Sequence, residues 1–137
     1  MPPEEVLQEV EAWIRKAESD FKNIALVLPA EDAPYDTVYF HAQQAAEKYL
    51  KALLTFHGVP FRRTHDLSEL VLLLPASSSV ANAVGDLSEL TDAAVAVRYP
   101  DDQTDYQFED AQALVENAER VKVAVLADLA ANGYVAP

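Results

Sequence analysis

Four cations and two imidazoles stand together in a chain that is otherwise acidic. The stretch from Lys48 to His65 holds Lys48, Lys51, Arg62, Arg63, His57 and His65, and no Asp or Glu interrupts it, although the whole chain carries a formal charge of −13. An isolated positive island of this kind fits a local site for an anion or an acidic partner. Gln44, Lys48 and Lys51 fall at i, i+4 and i+7, so on a helix they share one face. Two readings apply to that row. In one, the amide and the two ammonium groups reach the same ligand or partner. In the other, the face is solvated and carries a Glu47–Lys51 pair that adds a few tenths of a kcal/mol.

The next group is Arg63, His65 and Asp66. Asp66 suits the N-cap of a following helix, which explains it without catalysis. His65 is either a neutral hydrogen-bonding loop residue or joins Arg63 at an anion site beside that helix N-terminus. Further on come Arg98, Tyr99 and Pro100, followed by Asp101 and Asp102. An Arg at a helix C-terminus often meets the last carbonyls and the dipole. Alternatively Arg98 is held between helices and faces the second one, with the acids orienting its guanidinium. Tyr99 or Tyr49 would then stack a base.

Other chemistries are absent from the pattern. There are no cysteines, which removes disulfides, thiolate metal sites and a Cys nucleophile. No metal-ligand spacing is seen, because His41 and His57 lie more than four helical turns apart. No cofactor is implied. No glycine-rich phosphate loop or nucleophile elbow occurs.

The elements that must position these groups read as helices. Val6, Val10, Trp13, Ala17, Phe21, Ile24 and Leu28 step by three or four, an amphipathic stripe that Pro29 stops. A second helix should start near Pro34–Asp36, carry Val38, Ala42, Ala45, Tyr49, Leu53 and Phe56 inward, and end at His57-Gly58. DLSEL occurs at Asp66–Leu70 and at Asp86–Leu90, each an N-cap Asp three residues before Glu. We expect two helix starts there, the first helix ending near Pro75 with a loop at Ala76–Ser79, the second ending before Tyr99. Thr104-Asp105-Tyr106-Gln107 is a further capping box. It opens a last helix with Phe108, Ala111, Leu114 or Val115, Ala118, Val121, Val125 and Leu129 inward. The expected fold is all-α, an up-and-down antiparallel bundle of four to five helices.

Length and composition agree with a single domain over 1–137, its core at about 4–130. A chain of this size buries about two-thirds of its unfolded surface, enough for a core without staples. Its N-terminus, MPPEEVLQEVEAW, is acidic where a secretory signal is basic and apolar. No apolar run reaches the ~20 residues that cross a bilayer, so a cytoplasmic location without membrane contact is expected. A pI near 4.4 disfavours duplex DNA, whose binding rests on many Lys and Arg contacts to phosphate.

Taken together, the run from Phe40 to Leu54 (FHAQQAAEKYLKALL), then Thr64-His65-Asp66-Leu67, then Arg98-Tyr99-Pro100 resembles the HEPN domain family. The resemblance runs from Trp13 to about Leu129. It implies a helical bundle that pairs as a homodimer and works with a separately encoded minimal nucleotidyltransferase, often as a toxin–antitoxin module. It implies a role in binding a nucleotide or that partner at Gln44, Glu47, Lys48, Lys51, His65, Asp66, Arg98 and Tyr99, to which the cation Arg63 is added from its place in the island. Ribonuclease members of the wider group carry Arg, four to six residues, then His. After Arg98 those positions hold Gln103, Thr104 and Asp105, and no other Arg here has His at that spacing. The leading expectation is therefore a non-catalytic binding subunit. The alternatives are a ribonuclease toxin with a non-standard site, in which His65 substitutes, and a purely structural dimerisation module.

Overall fold

The long apolar stripes become three long helices, with three short ones between the second and the last. The computed structural model describes residues 1–96, 100 and 105–136, so Arg98, Tyr99, Asp101, Asp102 and Thr104 lie outside the described residues. The helices are α1 (Glu4–Val27), α2 (Tyr35–Phe56), α3 (Leu67–Leu72), α4 (Val80–Val84), α5 (Ser88–Ala96) and α6 (Phe108–Ala131). Among the described residues there is no strand. Among the described residues the architecture is an all-α bundle of six helices, against the four to five expected.

α2 is the central element. It packs against α1, α6, α5 and α3, and its sequence is apolar around most of its circumference. Ala42, Ala45, Ala46 and Ala52 are all fully buried and let neighbouring helices approach closely. Tyr49, Leu50, Leu53 and Leu54 fill the middle of the core with Leu67, Leu70, Leu87, Leu90 and Leu129. α2 ends as the sequence predicts. Gly58 takes φ +69°, with Gly58 N–H donating to Thr55 O and Val59 N–H to Leu54 O. This is the paired hydrogen-bond closure that favours a left-handed residue.

Asp66 caps α3, its Oδ1 accepting from Ser68 N at 3.0 Å and Glu69 N at 3.3 Å. Asp86 accepts from Ser88 N at 2.9 Å at the start of α5, and that backbone bond holds its carboxyl below the usual value. Both DLSEL segments thus begin helices.

Three expectations need correction. α4 was not anticipated, because its burial rests on one i, i+4 pair, Val80 and Val84, too short a pattern to register as periodic. α6 starts at Phe108 with Gln107 as its N-cap residue. The Gln107 amide bonds the Asp105 carboxylate at 2.8 Å, and the proposed cap Thr104 falls outside the described residues. Phe108 sits at the rim, 37% exposed, not in the core. Its ring edge meets Tyr35.

Candidate functional site

The site begins with one face of α2. Gln43, Glu47 and Lys51 stand at i, i+4 and i+8, and all three are buried. Polar groups in that position require partners, and here they supply them to one another. Gln43 Nε2 donates to Glu47 Oε1 at 3.1 Å and to the His65 carbonyl at 2.9 Å. Lys51 Nζ donates to Glu47 Oε2 at 3.1 Å. His65 Nδ1 lies 2.7 Å from Glu47 Oε1. Burial alone would raise the Glu47 carboxyl. The hydrogen bonds from Gln43, His65 and Lys51 together outweigh it and hold the group below the usual carboxylate range. The solvated-face reading of Glu47 and Lys51 is therefore overturned. The segment between Gly58 and Asp66 folds back over α2 and covers them.

An ionised carboxylate only accepts, so with Glu47 charged the proton of neutral His65 sits on Nδ1. Its Nε2 is then the nitrogen free of Glu47, on a side chain that is 54% exposed. An imidazole oriented by a buried carboxylate can accept or donate a proton at Nε2.

Over this network lies a cleft of about 550 Å³ lined by Trp13, Lys51, Phe61, Arg63, Thr64 and His65. Trp13 and Phe61 meet edge to face at 6.3 Å. The Lys51 ammonium lies 5.5 Å from the Trp13 ring centre and 5.7 Å from that of Phe61, within cation–π range. Arg63 is exposed and forms no ion pair among the described residues. The cleft thus brings a guanidinium, an imidazole and two aromatic rings around a buried ammonium.

The rest of the positive island is already matched. Arg62 holds the Glu69 carboxylate through two nitrogens, at 2.5 and 2.8 Å, raising the guanidinium and lowering the carboxyl. Lys48 donates to Asp20 of α1 at 2.6 Å, and His41 Nδ1 meets the other Asp20 oxygen at 2.8 Å. Gln44 donates to Gln43 Oε1. The row of Gln44, Lys48 and Lys51 is therefore split between two networks and does not converge on one ligand. Asp66 is occupied as a helix cap. Tyr49 is buried, with its hydroxyl directed to Glu18, and burial pushes that hydroxyl far up. It cannot stack a base, whereas Trp13 and Phe61 are placed to do so.

The apolar stripe placed Trp13 in the core, and no pattern in the sequence marked out Phe61. Their joint role needed the fold of residues 59–65, which no local spacing records. Gln43 was not among the candidate residues. His57 belongs elsewhere. Its Nε2 meets Asp128 Oδ1 at 3.0 Å, while Ser78 Oγ donates to Asp128 Oδ2 at 2.6 Å. The serine bonds the carboxylate and not the imidazole, so this is a tether between α2, the α3–α4 loop and α6, not a nucleophile with its base. Among the described residues no three acids or histidines are grouped to hold a metal ion. No described helix is long and apolar enough to cross a membrane.

The helical architecture is consistent with one family. The chain belongs to the HEPN domain family, whose model matches residues 10–127. It is 30% identical to a Methanocaldococcus jannaschii protein named "Putative toxin MJ1304", with 80% of each chain covered. No solved structure gives a significant match.

Proposed function

We propose that this chain is a non-catalytic, nucleotide-binding HEPN subunit of a toxin–antitoxin-type pair. Its partner is a separately encoded minimal nucleotidyltransferase, and the pair works in the cytoplasm. Family membership and the toxin named among its relatives support the general class. The observation that carries the ligand is the cleft itself. Arg63 and His65 offer donors to phosphate at its mouth, and Trp13 and Phe61 offer ring surface to a base. Arg98 and Tyr99 are assigned to the same site from the family resemblance alone. Pairing as a homodimer draws support from an apolar strip between α1 and α6. Phe21, Ile24, Leu28, Val115 and Val123 line a groove there of about 480 Å³, and Val123 within it is 67% exposed.

Isothermal titration calorimetry with ATP tests the reading. Saturable binding at millimolar affinity or better is expected, about tenfold weaker in Arg63→Ala, as for loss of one charge-assisted hydrogen bond. No heat through millimolar ATP, with and without the nucleotidyltransferase, overturns it.

A second reading is favoured by one contact, the 2.7 Å bond between His65 and Glu47. His65 Nε2 would take the proton of an RNA 2′-hydroxyl, whose oxygen attacks phosphorus. The 5′-oxygen would leave with a proton from solvent, giving a 2′,3′-cyclic phosphate and a 5′-hydroxyl. Growth arrest on expression without the partner, relieved by His65→Ala with the fold intact, would support this reading over the first. Harmless expression would remove it.

A further inference from the structure

Trp13 lines two depressions. One is the cleft over Glu47. The other, about 370 Å³, is bounded by Glu9, Ala12, Trp13 and Lys16. These four residues stand at i, i+3, i+4 and i+7 of α1, a single outward strip, and the three besides Trp13 are exposed. The second depression is mostly apolar, made of the indole and the Ala12 methyl, with a cation at one end. A side chain larger than Ala at position 12 would fill it. Each depression falls within the size range of small-ligand sites, and the two share a wall.

We infer that the two depressions form one continuous track for a single-stranded oligonucleotide, with one base against Phe61 in the cleft, the next on the Trp13 face away from Lys51, and Arg63 and Lys16 on successive phosphates. This rests on the nucleotide reading of the cleft and names its ligand class. The alternation of aromatic rings with cations along a groove is the arrangement that holds single strands without reading sequence. Lys51 does not serve a phosphate directly, because Glu47 holds its ammonium beneath the rings. It instead fixes the indole in place. Glu9 stands at the opposite end of the strip from Lys16, and its carboxylate would repel a further phosphate there.

The test compares AMP, the dinucleotide ApA and an adenosine tetramer by calorimetry, on wild type and on Lys16→Ala. Lys16 is exposed, so the variant folds. ApA and the tetramer should bind about tenfold tighter than AMP, the gain of one further stacked base. Lys16→Ala should remove most of that gain and leave AMP unchanged. If AMP binds but the longer probes bind no tighter, the track is overturned while the nucleotide cleft stands. If they bind tighter and Lys16→Ala keeps the full gain, the second nucleotide lies elsewhere and the track is again overturned. If neither AMP nor the longer probes bind, the nucleotide reading fails and the track with it.

Discussion

Gln43, His65 and Lys51 all donate to the Glu47 carboxylate, so the consequences of changing it differ from those at any exposed charge. In Glu47→Gln the Lys51 ammonium stays buried without its anion, a situation that costs about 3–5 kcal/mol. Urea denaturation should record that loss. Its pH dependence has a definite sign. The folded carboxyl lies below its ordinary value of 4.5, so its stabilisation is complete above that pH and is lost as the pH falls through the lowered value. The stability gap between wild type and Glu47→Gln should be widest above about pH 4.5 and close on further acidification. Arg63→Ala, by contrast, should shift stability by no more than about 0.5 kcal/mol, as for an exposed group with no ion pair among the described residues. Spacing alone revealed that Glu47 and Lys51 are neighbours. It gave no sign that they are buried, because their cover comes from Trp13 and from the segment around Phe61, far away in sequence. Lys48 was misplaced for the same reason, since its acid, Asp20, belongs to another helix.

At the scale of elements, the cleft depends on how α2 ends and α3 begins. Gly58 holds φ +69°, and a Cβ there would meet no atom within 4 Å. The cost of Gly58→Ala is therefore backbone strain alone, about 1–2 kcal/mol, readable as a lower unfolding midpoint with an unchanged m-value. Asp66→Ala removes the α3 cap and should cost about 1 kcal/mol. These caps were legible in the sequence because Gly and Asp act locally. α1, α2 and the body of α6 were legible because their apolar stripes run for six or seven turns. α4 was not, since Val80 and Val84 alone define it. The start of α6 was misread because the helix begins at Phe108, and the Gln107 amide bonds the Asp105 carboxylate.

Across the whole molecule, the charge of −13 opposes any polyanion, and most of the positive island is already engaged in ion pairs. Binding must then rest on few phosphate contacts. For two of them, Arg63 and Lys16, the logarithm of tetramer affinity should fall against that of salt with a slope no steeper than about −1.4. A much steeper slope would mean a broad basic surface that this chain does not carry. The most direct test uses Trp13, the chain's one tryptophan and a wall of the cleft. Titrating the protein with ATP while following its fluorescence should give a saturable change at millimolar concentration or below, with the midpoint moved about tenfold higher in Arg63→Ala. A signal that stays flat, or drifts without saturating through millimolar ATP, contradicts the account.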